Sequence, residues 1–225
     1  MQIDISVIRK SPYFSNLGDG ELDLFKRSIF NKSFERKASI IREGEPAKAI
    51  YFVSSGAVKT YRTSPDGKEQ IFSIVRPGDS FNDIPVLDGA PTAFSAEAMG
   101  PVSVIGISKD DFYHILRDNH RVAINVINVL AGKIRQLTSI VDDFSFRTVT
   151  HRVAKLLLNY AGDGTDSFRR LTQEEMAGIA GTSREVVARA LKSLSSMGAI
   201  TIERHRIVIK NTRALEDMAG VIHSD

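Results

Sequence analysis

Arg184, Glu185 and Arg189 are the residues of this 225-residue chain whose types and spacing lend themselves most directly to chemistry. At helical periodicity they fall, with Lys192, near one face, while Val186, Val187, Ala190, Leu191 and Leu194 recur at the spacing of an apolar stripe. A guanidinium presents a planar fork of N–H donors and a carboxylate presents only acceptors. On a duplex, Arg184 and Arg189 can each fork onto guanine O6 and N7, and Glu185 can accept from a cytosine amino group. This is the chemistry of recognition rather than of bond making. Val186 and Val187 either add apolar contacts to that face or pack inward.

Such a face is useful only if the chain holds it out rigidly, and the segment Leu171 to Ile200 has the devices to do so. Thr172 followed three residues later by Glu175 is a capping box that starts a first helix. Gly181 permits positive φ, and Thr182 or Ser183 can cap a second helix. Ala177 is small where two crossing helices would touch. An ordinary helical hairpin with a solvated charged face shares some of these features. The capped start, the small residue, the glycine, the Ser-Arg-Glu opening and a trailing hairpin together point to a helix-turn-helix whose second helix enters a major groove. The hairpin is Ile200 to Ile202, then Glu203 to Arg206, then Ile207 to Ile209, and it reads as a wing. Ser183, Lys192, Arg204, Arg206 and Lys210 are placed for phosphates, which position without reading sequence. His205 in the wing faces phosphate or solvent.

Charge placement agrees. The chain carries a formal +3, yet residues 1–145 balance at 18 basic against 18 acidic, whereas residues 146–225 hold 12 against 9. Within 184–213 the ratio is 7 to 2. A basic patch on and after the second helix implies a polyanionic partner there.

N-terminal to this, Leu22 to Phe34 is a short amphipathic segment, helical at its start. From Ser39 the texture becomes β-prone, and Gly44, Gly56, Gly67, Gly78, Gly89 and Gly100 follow one another at intervals of 12, 11, 11, 11 and 11. Runs such as AIYFVSSG and PVSVIGI between turn residues argue an antiparallel sandwich or barrel. After Ser108, which caps KDDFYHIL, a long helical pattern begins. Ala123, Ile127, Leu130, Ile134, Leu137, Val141 and Phe144 alternate steps of four and three, a narrow seam suited to a partner helix. Packing within its own domain accounts for part of such a seam. A parallel homodimer is preferred because two-fold protein symmetry matches a two-fold DNA site. Asp143 to Thr150 reads as a hinge, with Thr148 or Thr150 capping HRVAKLLLNYAG, and Gly162 to Phe168 as a polar loop. The domains implied are 1–107, 108–145 and 146–225, in an α+β fold.

Other classes of function find little in the residues. Asp110-Asp111 and Asp142-Asp143 read as capping or solvated helix charges rather than a catalytic carboxylate pair. Without cysteine there is no disulfide framework, thiolate nucleophile or Cys-ligated cluster, which fits the cytoplasm. His114, His120, His151, His205 and His223 show no metal-site spacing. The N-terminal MQIDISVIRKSPYF lacks a signal-peptide core, and no run approaches a membrane span.

The order of glycine-punctuated strands, heptad helix, hinge and winged helix-turn-helix, together with GTSREVVARALKSL, resembles the cyclic-AMP receptor protein and FNR (Crp/Fnr) superfamily of transcription regulators. That resemblance implies an N-terminal β-roll of the cyclic-nucleotide-binding jelly-roll type that senses a signal, and a homodimer that binds a palindromic DNA operator. It also implies base reading by Arg184, Glu185 and Arg189, a half-site similar to TGTGA, and RNA polymerase as a further partner. An effector pocket would fall at Asn82, Asp83, Ile84, Thr92, Ala93 and Thr138. The cyclic-AMP cassette of the family reads Gly-Glu-Leu and, about ten residues on, Arg-Ser or Arg-Thr. Here Asn82-Asp83-Ile84 and Thr92-Ala93-Phe94-Ser95 stand instead, and no Lys or Arg occurs from Pro77 through Ser108. A phosphate there would lack a charge-assisted partner, which argues against cyclic AMP, although backbone amides at a helix start near Ile84 to Leu87 can hold an anion. The cysteine-held FNR cluster is excluded. A single histidine can ligate haem as in the family's gas sensors, with His114, near the start of the long helix, as the candidate. The competing reading is a ligand-binding module, for cyclic nucleotide or for haem and gas, whose main role is not DNA binding; the complete helix-turn-helix speaks against it.

Overall fold

A computed structural model describes residues 6–161, 171–203 and 206–221. They form two compact units, Met1–Thr63 with Phe72–Arg135, and Ser64–Ile71 with Gln136–Asp225.

The first unit opens with helices α1 (Ser6–Lys10) and α2 (Asp19–Phe25). Strands β1 (Ile29–Phe34), β2 (Ser39–Ile41), β3 (Ala49–Ser55), β4 (Val58–Thr63), β5 (Glu69–Val75) and β6 (Ser80–Phe81) follow, then the short helix α3 (Asp83–Asp88), then β7 (Ser95–Ala98) and β8 (Val102–Ser108). They make two four-stranded sheets in the orders β1-β8-β3-β6 and β2-β7-β4-β5, with antiparallel pairings throughout the registered ladders. The sheet begins ten residues earlier than the β-prone texture suggested, because β1, at Ile29, carries three consecutive polar residues, Asn31, Lys32 and Ser33, that interrupt the strand pattern.

The glycine series is architectural. Gly44, Gly56, Gly67, Gly78 and Gly89 take φ of 77° to 96°, where an L side chain is strained. At Gly56 a Cβ would also stand 2.3 Å from the Pro101 carbonyl oxygen. The core gathers Ile50, Phe52, Ile105 and Ile107 from the strands with Ile8, Tyr13, Phe14 and Leu22 from the N-terminal segment, each at most 2% exposed. Burial of each such side chain contributes about 1.5–3 kcal/mol. Tyr13 and Phe14 pack on Phe52 at ring separations of 5.8 and 5.7 Å.

The helical region after Ser108 is two helices rather than one. The first, α4 (Lys109–Asp118), has Ser108 as its cap, accepting from the Asp111 amide. Asn119 then leaves the helical region, and its Oδ1 accepts from the amides of Arg121 and Val122 to start α5 (His120–Phe146). His114 is therefore exposed on α4 and is not on the long helix. Val122, Val126 and Val129 form the stripe by which α5 packs on the first unit's core.

Helix α5 extends to Phe146, so Asp143 to Phe146 are helical and the break before α6 (Val149–Ala161) is confined to Arg147 and Thr148. Thr148 Oγ1 accepts from the His151 amide at 3.3 Å at the start of α6. The polar loop expected from Gly162 lies outside the described residues. Helices α7 (Gln173–Ala180) and α8 (Arg184–Ser196), strands β9 (Ile200–Glu203) and β10 (Arg206–Ile209), and α9 (Thr212–Met218) complete the second unit. Its core joins Val153, Ala154, Met176, Val187, Leu191 and Leu194. Among the described residues no helix is long and apolar enough to cross a membrane.

Candidate nucleic-acid interface

Helix α7 starts with the capping box expected at Thr172. Its Oγ1 accepts from the Glu175 amide at 3.1 Å, and Glu175 Oε2 accepts from the Thr172 amide at 2.7 Å. Thr172→Ala should remove one of these bonds and lower the unfolding free energy by about 1 kcal/mol in urea titration. An unchanged midpoint would show that the box contributes nothing.

Gly181 ends α7 at φ 61°, ψ 49° and turns the chain into α8. The turn is crowded as well as left-handed, because a Cβ on Gly181 would lie 2.2 Å from the Phe144 ring. Ala177 is 3% exposed, as the close crossing requires. Ser183 occupies the cap position of α8, yet its hydroxyl does not bond the helix amides. It hydrogen-bonds the Glu185 carboxyl. With the backbone amide and then Arg184 and Arg189, this holds the carboxyl below the usual range and keeps it a pure acceptor.

One face of α8 buries Val187, Ala190, Leu191 and Leu194, all at most 4% exposed. Ser183, Arg184, Glu185, Arg189 and Lys192 stand exposed away from it. Val187 therefore belongs to the core, whereas Val186 is half-buried. A helix anchored by that stripe presents guanidinium forks and one carboxylate to solvent, the donors and acceptor whose partners base edges carry.

The wing forms as expected, with Ile207 opposite Ile202 and Ile209 opposite Ile200. Lys210 follows it and is exposed. Arg204 and His205 lie outside the described residues, as does the side chain of Arg206.

Sequence reasoning missed the group that ties the end of α5 to this unit. Asp143, read as a solvated charge, accepts from Lys155 Nζ at 2.5 Å and stands 3.7 Å from His151 Nε2. Burial and then Arg147 push the His151 imidazole down, while Asp143 opposes them. Arg152 donates through Nε to the Ala180 carbonyl at 3.0 Å and through Nη1 to the Arg147 carbonyl at 2.9 Å, and its guanidinium covers the Phe144 ring at 4.7 Å. These residues sit on two helices separated by a break, so no single periodicity relates them.

The residues expected to form an effector pocket do not behave alike. Asn82, Asp83 and Thr92 are buried at 2–3% exposure, whereas Ile84, Ala93 and Thr138 are exposed. Asn82 Nδ2 donates to the Ala49 carbonyl at 2.8 Å, and the Thr92 hydroxyl to the Arg42 carbonyl at 2.7 Å. The run without cations from Pro77 to Ser108 proved too narrow a window, because Lys133 of α5 reaches the Asp83 carboxylate. Among the described residues no group of three or more His, Asp or Glu could hold a metal ion.

An antiparallel β-roll, a long helix and a capped, winged helix-turn-helix follow one another in this order along the chain. Residues 31–119 match the family model of the cyclic nucleotide-binding domain, and residues 151–218 that of the Crp-like helix-turn-helix domain. The chain is 28% identical over 212 residues to the cyclic AMP receptor protein of Thermus thermophilus, covering 94% of this chain and 98% of that one. The solved structure of a CRP-family transcriptional regulator, also from Thermus thermophilus, is 30% identical, with 84% and 96% covered and a TM-score of 0.69. FixK2 from Bradyrhizobium japonicum is 26% identical, with 87% and 99% covered and a TM-score of 0.76. The chain belongs to the Crp/Fnr superfamily of transcription regulators, and its helix-turn-helix is a DNA-binding domain.

Proposed function

We propose that the protein works as a cytoplasmic homodimer that binds a palindromic operator and regulates transcription there, with the β-roll as its control domain and RNA polymerase as a partner at the promoter. The observation that carries the dimer is the exposure of the α5 seam. Ile127, Ile134, Leu137 and Val141 are 64%, 64%, 56% and 61% exposed in the single chain. Large aliphatic side chains in a row at heptad spacing are costly to leave in water and suit a second copy of the same helix. Leu130 and Phe144 are less free for this, since Leu130 packs against the first unit's core and Phe144 against Gly181 and Arg152.

Two α8 helices related by the dimer axis would enter successive major grooves about 34–36 Å apart. Arg184 and Arg189 are assigned to guanines and Glu185 to a cytosine; Ser183, Lys192, Arg204, Arg206 and Lys210 are assigned to phosphates. Footprinting on selected duplexes should show two protected half-sites whose centres lie one helical turn apart, with inverted sequence. A single protected half-site, or protection without sequence preference, would contradict this reading.

A further inference from the structure

Asp83 opens α3 and is 3% exposed. Its Oδ1 accepts from the Ile84 amide at 2.9 Å, and its Oδ2 accepts from both the Tyr13 hydroxyl and the Lys133 ammonium, with the Ser80 hydroxyl at 3.5 Å. Burial, and then the carboxylate itself, push the Tyr13 phenol well above its ordinary value, so it keeps its proton and serves as a donor. Lys133 extends the Val122, Val126, Val129 stripe by one more turn, which places its ammonium on the face of α5 turned toward the β-roll. A buried carboxylate without these partners would be strongly destabilising. The cluster therefore joins three separate parts of the first unit, the N-terminal segment, the turn into α3, and the long helix.

A ligand stabilises one conformation only through contacts it makes better in that conformation than in another. Here the ionic and hydrogen bonds between α3 and α5 come from the chain itself and need no bound ligand. Helix α5 then continues without interruption from Lys133 to Phe146, where the link to the DNA-binding helices begins. We infer that the Asp83–Lys133–Tyr13 cluster acts as a built-in substitute for an effector, fixing α5 so that the protein takes up its operator-binding state with no small molecule bound. This rests on the operator-binding reading above.

The test uses the full chain, as purified and after unfolding and refolding to strip small molecules, with native mass spectrometry to confirm the bare mass. Fluorescence anisotropy is read on an operator duplex and on a shuffled one. The stripped protein should bind the operator as tightly as the purified protein, and saturating cyclic AMP should change neither affinity nor calorimetric heat. Replacing the ion pair by D83N/K133M removes both charges together, which spares the fold. Its operator affinity should fall by roughly tenfold or more, while affinity for shuffled DNA, which rests on phosphate contacts, stays the same. K133R should retain operator affinity. The inference is overturned if only the purified form discriminates the operator, because an effector is then required while the DNA-binding reading stands. It is equally overturned if D83N/K133M, folded by circular dichroism, binds the operator like the parent. If the purified protein itself cannot distinguish the two duplexes, the operator-binding reading fails and the inference fails with it.

Discussion

Replacing Leu137 with lysine is expected to convert the protein from dimer to monomer in sedimentation velocity, with operator binding lost at concentrations where the parent binds fully. Leu137 is 56% exposed in the single chain, so its own fold does not need the side chain. In the paired helix it would lie in the seam between Ile134 and Val141. A lysine there brings two ammonium groups together near the dimer axis, without carboxylates on the seam to receive them. An unpaired buried charge costs about 3–5 kcal/mol, a loss of two to three orders of magnitude or more in association. Circular dichroism should be unchanged, which separates loss of pairing from loss of folding. A variant that still sediments as a dimer would place the interface elsewhere.

The reach of sequence reasoning differed from element to element for physical reasons. The helix-turn-helix was legible down to its capping box because Thr172, Glu175 and Gly181 act over three or four residues, and local chemistry leaves local signatures. The split of α8 into a buried stripe and an exposed charged face followed from periodicity alone, and only the division between Val186 and Val187 needed coordinates. The glycine series announced turns, since positive φ is a requirement of the single residue.

What escaped was long-range. Asp83 and Lys133 are fifty positions apart, and neither carries a local mark of the other. Asp143 pairs with Lys155 across the break between α5 and α6, so a reading along either helix left it solvated. The break at Asn119 was missed because the apolar pattern continues on both sides, and only the side-chain cap onto Arg121 and Val122 reveals a new start. Strand β1 was lost to its run of three consecutive polar residues, Asn31, Lys32 and Ser33, at the edge of its sheet, which interrupts the apolar pattern that marks the other strands.

The central claim is that α8 reads bases through its exposed guanidinium groups, and substitution of Arg189 by alanine tests it most directly. Arg189 is exposed, while Ala190 beside it anchors the helix, so truncation removes the fork without disturbing the core. A bidentate contact to guanine contributes about 1–3 kcal/mol of discrimination. Binding of Arg189→Ala should be measured on the operator, on each single base-pair variant of one half-site, and on shuffled DNA over a range of salt. Lys192→Ala serves as the comparison, since loss of a phosphate contact should weaken all sequences alike and flatten the salt slope by about one unit. The account predicts that Arg189→Ala loses affinity for the operator, accepts any base pair at one position and binds shuffled DNA as before. Equal losses on operator and shuffled DNA, with base preference intact at every position, would contradict it.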